Sequence, residues 1–320
     1  MSVGVVDERA RICAAQAAGD PDGALAVVEV PATSANLGPG YDAFGVALDV
    51  PLIAVARPRG EARVTVAGAG ADELPTGDDN LVWRAVQSWC AHVGTAVPDV
   101  SIHVDSAIPL ERGMGSSSAA AVAGRLLGRA LAGGRGSTAA LLALATALAG
   151  HPDNAAAALV GGLVACTPGG GVTRVTPTPA LRPVLCVPSV RQATSEARAA
   201  LPAEVPLATA AAGAARATAT FVGLAGLARL EATAMVDELH EPARLALMPT
   251  SRRVVEALRA ADVPSALSGA GPSVLAVVPA GDDTALDLVR RVVADAGADD
   301  PVELVPTRWH LAGATVRAAG

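Results

Sequence analysis

The sequence contains no lysine, and all 24 of its basic residues are arginines. Chemistry that requires a lysine amine is therefore excluded. Aromatic residues make up only 2% of the chain, and the net charge is −7. A nucleic-acid surface needs positive charge and stacking rings, so no nucleic-acid partner is expected. Small metabolites are the expected partners.

The cysteines are few and scattered. Cys13, Cys90, Cys166 and Cys186 form neither a CxxC pair nor a Cys/His cluster, so neither a zinc site nor a disulfide framework is expected. Apolar residues are spread evenly, and the longest apolar run, residues 139–150, is too short to cross a bilayer. The N-terminus also lacks the order of a secretory signal. We therefore expect a cytoplasmic protein with no membrane partner.

The length of 320 residues suits one or two domains. Residues 1–24 show no sustained periodicity and are predicted to be a dispensable N-terminal extension. Strand and helix signals then follow one another without the strict alternation of a parallel doubly wound sheet, which favours an α+β fold. Among the predicted helices is one over residues 230–239, and Asp153 is expected to cap another.

A loop rich in glycine and serine leads into a long Ala/Leu helix and is the first segment that suggests chemistry. Gly113 and Gly115 allow backbone N–H groups to approach an anion, and the following helix offers free N–H groups and the positive end of its dipole. Serine hydroxyls there can bind phosphate oxygens or magnesium. Without a lysine this is not a Walker A loop. Taken alone, the segment could also be an ordinary turn into a helix with a serine cap.

Two further segments accompany this loop. Residues 31–42 read PATSANLGPGYD and residues 267–273 read LSGAGPS. Together, in this order and at about this spacing, the three segments resemble the motifs of the galactokinase, homoserine kinase, mevalonate kinase and phosphomevalonate kinase superfamily. The resemblance implies a ribosomal-protein-S5-domain-2-like domain, here placed at residues 25–180, and a ferredoxin-like domain at 181–320. It also implies that ATP lies against the loop. The ATP-binding residues are then Pro109, Leu110, Glu111, Arg112, Gly113, Met114, Gly115, Ser116, Ser117, Ser118 and Ala119.

Further segments resemble the homoserine kinases in particular, namely Asn36 with Asp42, GHPDN at 150–154, TSEAR at 194–198 and HEPAR at 240–244. This resemblance implies phosphorylation of the side-chain hydroxyl of L-homoserine by ATP, and a homodimer as the common oligomeric state. The implied substrate-binding residues are Asn36, Asp42, His151, Asp153, Asn154, Thr194, Arg198 and Arg244.

The implied roles follow from the chemistry of the substrate. Arg198 and Arg244 are expected to hold the carboxylate, because a guanidinium fork can bind two oxygens at once. Asn36 and Asp42 are expected to receive the amino group. His151, Asn154 and Arg198 are the candidate catalytic residues, with His151 and Asn154 orienting the reacting hydroxyl rather than acting as bases, since phosphoryl transfer depends mainly on alignment and charge neutralisation.

The magnesium site departs from the family pattern. Many homoserine kinases carry an acidic residue shortly before the histidine that matches His151, but residues 143–149 contain no carboxylate. We therefore expect Mg²⁺ to be held by ATP, Ser117 and water. Two other functions stay open at this point. The chain could be a mevalonate- or shikimate-type kinase of the same superfamily, or a catalytically weak nucleotide-binding regulatory protein.

Overall fold

The computed structural model of the protein describes residues 23–318, so almost all of the predicted N-terminal extension lies outside the described residues. Within that range the strands are β1 (Ala26–Ala35), β2 (Phe44–Pro58), β3 (Val64–Gly68), β4 (Val100–Ser106), β5 (Leu163–Cys166), β6 (Val172–Val175), β7 (Leu181–Pro188), β8 (Ser265–Leu267), β9 (Val274–Pro279), β10 (Val302–Pro306) and β11 (Thr315–Ala318). The helices are α1 (Leu81–Val93), α2 (Ser116–Leu131), α3 (Thr138–Ala149), α4 (Pro152–Val160), α5 (Thr194–Ala199), α6 (Leu207–Leu224), α7 (Glu241–Ala246), α8 (Pro249–Ala260) and α9 (Asp283–Asp295).

The first sheet has the strand order β11-β1-β2-β4-β3, with β5 and β6 joined to the side of β2. Alternate residues of β1 and β2 point towards helices α2 and α4 and form the main core, as period-two side-chain alternation requires. The register of β1 against β2 shifts between Pro31 and Ala32. That irregularity lies at the start of the segment at residues 31–42.

The second sheet has the order β10-β7-β9-β8, and every pairing in it is antiparallel. Helix α8 precedes β8 and helix α9 follows β9, which gives the βαββαβ arrangement of a ferredoxin-like domain. The predicted two-domain α+β fold is confirmed. The domain limits of 25–180 and 181–320 remain a prediction with one amendment, because β11 pairs with β1 and so belongs to the first sheet.

Three local predictions differ from the structure. The helix predicted over 230–239 is only a 3₁₀ turn, Ala232–Met235, because the Asp237 carboxylate accepts hydrogen bonds from three backbone amides (Leu239, His240 and Glu241) and starts α7 instead. Asp153 does not cap α4, since His151 occupies the N-cap position. Strands β6 and β10 were not predicted at all.

One described helix, α6, is long and apolar enough to cross a membrane by length and composition alone. A core helix of a soluble protein passes the same test, so this is weak evidence. The expected absence of a membrane partner therefore stays a prediction.

Candidate active site

A cleft of about 640 Å³ opens between the two domains. It has an end with an apolar wall beside the glycine-serine loop and an end lined by charged side chains. The apolar wall comes from Val66, Leu74, Pro75, Leu81, Val104 and Leu110. The charged end contains Asn36, Asp42, His151, Asp153, Asn154, Thr194, Arg198 and Arg244. All the predicted substrate-binding residues are thus brought together from separate segments of the chain.

The glycine-serine loop, residues 109–115, lies between these two ends. Gly113 and Gly115 have φ values of 70° and 72°, so both adopt the left-handed conformation that glycine permits. Within the described chain, the backbone amides of residues 113–118 have no hydrogen-bond acceptor. Free N–H groups at a helix start suit an anion, since the helix dipole adds positive potential there. The loop therefore fits the phosphate groups of a nucleotide.

The segments at residues 31–42 and 267–273, the first and third of the three motifs, form hydrogen bonds with the backbone of this loop. Ser268 donates a hydrogen bond to the Gly113 carbonyl at 2.7 Å and shares another with the Ser34 hydroxyl at 2.9 Å. The Thr33 amide donates to the Met114 carbonyl at 3.1 Å. The two glycine-containing segments that flank the loop in space thus support its backbone, a role that their sequence patterns did not reveal.

One predicted ATP-binding residue lies elsewhere. Residues 109–118 all line the cleft, but Ala119 is buried in the core, and its amide donates to the Gly115 carbonyl. This is the first intrahelical bond of α2, so Ala119 builds the helix rather than contacting a ligand.

At the charged end, Asp42 and Arg198 form an ion pair. Arg198 Nη2 donates to both carboxylate oxygens, at 2.9 and 3.1 Å, and the same nitrogen lies 2.7 Å from His151 Nδ1. Burial alone would raise the pKa of Asp42, but hydrogen bonds from His151 and Arg198 outweigh burial and lower it. Asp42 is therefore a carboxylate at neutral pH.

Arg244 differs from Arg198 in its surroundings. Its residue is only 2% exposed, and its guanidinium donates to the Gly269 carbonyl at 3.1 Å. The described residues place no carboxylate within ion-pair distance of it. A buried cation without a counter-ion is costly. Because Arg244 also lines the cleft, its arrangement points to an anionic ligand.

His240 and Tyr41 surround this arginine. His240 Nε2 donates to the Gly38 carbonyl at 2.9 Å, which leaves Nδ1 to accept from Arg244 at 3.1 Å. Burial lowers the pKa of His240 to about 4, so the ring is neutral, as this hydrogen bond requires. The Arg244 guanidinium also lies 5.4 Å from the centre of the Tyr41 ring. Both residues stand in segments that carried the family resemblance, but their support of Arg244 was not predicted.

Asp153 and Asn154 lie in the first turn of α4, at the part of the charged end that adjoins the loop. Asn154 Oδ1 accepts a hydrogen bond from Thr33 at 2.6 Å, and its amide donates to Asp153 at 2.7 Å. Asp153 is 1% exposed, and burial raises its pKa to about 6, with the nearby charge of Asp42 adding to the effect. Asn154 thus has a fixed position beside the phosphate loop.

Asn36 has φ 66° and uses its amide group to join two motifs. Its nitrogen donates to the Gly269 carbonyl at 2.8 Å, and its oxygen accepts from the Asp42 amide at 3.1 Å. One lone pair on the oxygen remains for a ligand. Its main visible role is therefore to set the position of Asp42.

The family models agree with this architecture. The model described as GHMP kinases N terminal domain matches residues 80–162, and the one described as GHMP kinases C terminal matches residues 221–299. A homoserine kinase of Streptomyces avermitilis is 39% identical over 284 residues, which cover 87% of this chain and 92% of that protein. The chain belongs to the homoserine kinase family of GHMP kinases. Membership of a kinase family implies ATP as a substrate.

Other relatives give the same result. A homoserine kinase of Mycobacterium tuberculosis is 38% identical over 269 residues, which cover 80% of this chain and 85% of that protein. The crystal structure of homoserine kinase from Cytophaga hutchinsonii has a TM-score of 0.80 at 25% identity and covers 92% of this chain and 98% of that one. A mevalonate kinase structure has a TM-score of 0.63 at 12% identity, which shows a shared fold only.

Proposed function

We propose that this protein transfers the γ-phosphoryl group of ATP to the side-chain hydroxyl of L-homoserine, giving ADP and O-phospho-L-homoserine. The bond between the γ-phosphorus and the β–γ bridging oxygen breaks, with ADP as the leaving group, a bond to the homoserine oxygen forms, and the hydroxyl proton is released to solvent. The single observation that carries this proposal is the charge arrangement at one end of the cleft, next to a loop built for phosphate.

That arrangement suits a zwitterion. Asp42 and Arg198 neutralise each other, while Arg244 has no carboxylate partner among the described residues. An α-amino acid can place its carboxylate on Arg198 and Arg244 and its ammonium group on Asp42. It would then replace one internal ion pair by charge-assisted contacts at both ends of the ligand. The second lone pair of Asn36 can also receive the ammonium group.

The same arrangement argues against the mevalonate- and shikimate-type alternatives. These substrates carry a carboxylate and hydroxyl groups but no ammonium group. They would engage the arginines and deprive the half-buried Asp42 carboxylate of Arg198 without supplying an ammonium group in its place, at a free-energy cost. The family relationship also favours an active kinase over a nucleotide-binding regulatory protein.

The remaining residues are proposed to position the reacting groups. Asn154 and His151 line the charged end of the cleft, where they can orient the hydroxyl, and Thr194 at the start of α5 lines the same end. Alignment and charge neutralisation, rather than a strong base, supply most of the rate in phosphoryl transfer.

Magnesium is proposed to enter with the nucleotide. Among residues 23–318 no cluster of three or more His, Cys, Asp or Glu side chains is placed to hold a metal ion. Ser117 lies exposed in the first turn of α2 and lines the cleft, so its hydroxyl fits a single ligand position. The ion neutralises phosphate charge when bound. Nucleotide oxygens and water would complete its octahedron.

The test is steady-state ADP release with a panel of hydroxyl substrates, namely L-homoserine, D-homoserine, L-threonine, L-serine, mevalonate and shikimate. We expect the highest kcat/KM with L-homoserine and at least about 100-fold less with the carboxylates that lack an ammonium group. This ratio corresponds to about 3 kcal/mol, in the range of one lost charge-assisted contact. Equal or higher kcat/KM with mevalonate or shikimate would refute the proposal.

The proposed location and the lack of membrane and nucleic-acid partners rest on composition and charge, and the proposed assembly rests on the resemblance. We propose a cytoplasmic homodimer without membrane or nucleic-acid partners. Cell fractionation and light scattering on the purified protein test both points, and a membrane-bound or monomeric protein would contradict them.

A further inference from the structure

A loop of the second domain, residues 189–193, lies directly on the phosphate loop. The Arg112 guanidinium donates to the Ser189 carbonyl, and the Gln192 amide donates to the Glu111 carbonyl at 3.2 Å. Arg191 stands between these two contacts. Its position is therefore fixed next to the backbone that would bind phosphate.

The Arg191 side chain reaches across the cleft. Its two terminal nitrogens donate to the two oxygens of Glu73, each at 2.5 Å. Glu73 belongs to the segment between β3 and α1. This segment forms the opposite wall of the cleft at the end beside the glycine-serine loop. Both side chains line the cleft and are 45% and 44% exposed. The pair thus connects the two domains over the place where the nucleotide enters.

While Arg191 is bonded to Glu73, the charges that line the loop end of the cleft are not complementary to a polyphosphate. The lining carboxylates are Glu73, Asp79 and Glu111, and the lining cations are Arg112 and Arg191. Burial lowers the pKa of Arg112, and the nearby charge of Arg191 lowers it further, so the two guanidinium groups lie within Coulombic range. Arg112 donates to Ser189 through Nη2 only, its buried Nε and Nη1 have no partner among the described residues, and the chain has no lysine to add positive charge.

The general strengths of two kinds of contact favour an exchange in which phosphate replaces Glu73 as the partner of Arg191. A solvent-exposed ion pair contributes little to stability, because water screens it. An arginine fork on phosphate is among the strongest contacts that a protein side chain makes, since both partners are charged and the geometry is bidentate. An incoming nucleotide therefore competes well with Glu73 for Arg191.

We propose that Arg191 is a nucleotide-binding residue that leaves Glu73 and binds the terminal phosphates of the nucleotide, with Glu73 acting as its competitor in the free protein. This rests on the proposed function only in that the cleft binds ATP. The identity of the phosphoryl acceptor does not enter.

The test is calorimetric binding of Mg-ATP, Mg-ADP and AMP to the full-length protein without any acceptor. Arg191→Ala should weaken Mg-ATP binding by about 10- to 100-fold, as loss of a charge-assisted contact does, and AMP binding by less than about twofold. Glu73→Gln should strengthen Mg-ATP binding by about two- to fivefold, because the weak competing pair is gone. The double variant should resemble Arg191→Ala. Arg191→Lys should restore part of the affinity.

Arg290→Ala is the matched control, because it removes a similarly exposed ion pair, with Asp287, on α9 and outside the cleft. It should leave all three affinities unchanged. If Glu73→Gln and Arg191→Ala weaken binding alike, the pair merely ties the domains together and the proposal is wrong. Unchanged Mg-ATP affinity in Arg191→Ala would overturn it as well. A protein that prefers another acceptor would instead fail the substrate panel while these affinities still shifted.

Discussion

The two ends of the cleft recognise charge in different ways. The phosphate loop uses backbone amides and a helix N-terminus, and its free N–H groups come from residues 113–118. The charged end, where the phosphoryl acceptor is proposed to bind, uses ionised side chains. Asp42 and Arg198 are paired there, and Arg244 is buried without a counter-ion among residues 23–318. Backbone donors are set by local conformation, whereas the side-chain charges depend on contacts between distant segments.

This difference affects how each end should respond to substitution. A change in the loop moves the backbone and so disturbs every donor at once. A change at the acceptor end removes one charge and leaves the nucleotide site intact. Substitutions at the two ends should therefore separate nucleotide affinity from acceptor affinity.

The largest effect is expected for Gly113→Ala. A Cβ atom at this position would lie 2.1 Å from the Ser268 carbonyl oxygen, and φ is 70°. The loop must shift away from the third motif, and misplacement of about 1 Å costs on the order of 100-fold in rate. With the added left-handed strain, we expect kcat/KM to fall by about 1000-fold and calorimetry to show weakened Mg-ATP binding.

Gly281→Ala is the control for backbone strain alone. Gly281 lies in the second domain with φ 77°, and a Cβ added there would meet no atom within 4 Å. It should lose about 1 kcal/mol of stability and no nucleotide affinity. Normal Mg-ATP binding in Gly113→Ala would show that the third motif does not fix the loop.

The second-largest effect is expected on the KM for homoserine in Arg244→Ala and Arg198→Ala. Arg244 is 2% exposed and the Arg198 side chain 41% exposed, and charge-assisted contacts are worth more where water is excluded. We expect the KM for homoserine to rise about 100-fold for Arg244→Ala and about 10-fold for Arg198→Ala. Steady-state kinetics and calorimetry should show unchanged Mg-ATP affinity in both. Equal KM values for both variants and wild type would remove the carboxylate assignment.

These contrasts also explain what the sequence could and could not predict. The loop was predictable because its glycines, serines and helix start lie within a few residues of one another. The ion pair of Arg198 with Asp42 joins residues 156 positions apart, and that of Arg191 with Glu73 joins residues 118 apart. Such pairings depend on how the two domains pack, which composition and periodicity do not encode.

The fold shows the same limit. The amphipathic pattern of residues 81–93 predicts a helix over that range, and α1 has these bounds. The pairing of β11 with β1 brings the C-terminal strand back to the first sheet, and a four-residue strand carries no signal for its partner. Asp237 was predicted to be part of a helix because its capping of α7 depends on a turn that hydrophobic periodicity cannot show.

A smaller effect concerns stability and Asp153. Its pKa of about 6 in the folded protein exceeds the ordinary value of 3.8, so the folded state holds this proton more tightly than the unfolded state does. The free energy of unfolding therefore falls as pH rises from about 4 to about 6. Asp153→Asn removes that loss, and its stability relative to wild type should be about 2 to 3 kcal/mol more favourable at pH 7 than at pH 4.

Urea unfolding at both pH values measures this difference. Asn keeps an oxygen that can accept from the Asn154 amide, so the local hydrogen bond is retained. Asp282→Asn is a suitable contrast, because hydrogen bonds from Thr284 and the Ala285 amide lower the pKa of that exposed helix cap. Its relative stability should change with pH in the opposite direction. A pH-independent difference for Asp153→Asn would mean that its carboxyl group is solvated in the folded protein.

The smallest effect is expected for Ser117→Ala, which returns to the phosphate end but changes a side chain rather than the backbone. If Ser117 supplies one ligand to magnesium while the nucleotide and water supply the others, its loss should lower kcat by about three- to tenfold and raise the magnesium concentration needed for half-maximal rate. The amides of the loop stay in place, so Mg-free ATP should bind as in wild type. Ser137→Ala, at the start of α3 and outside the cleft lining, serves as the control and should leave the titration unchanged. Magnesium titrations at fixed ATP decide the matter. A Ser117→Ala enzyme with an unchanged titration would show that Ser117 is not a ligand, and that the nucleotide and water, or one of the carboxylates that line this end (Glu73, Asp79 or Glu111), hold the ion without it.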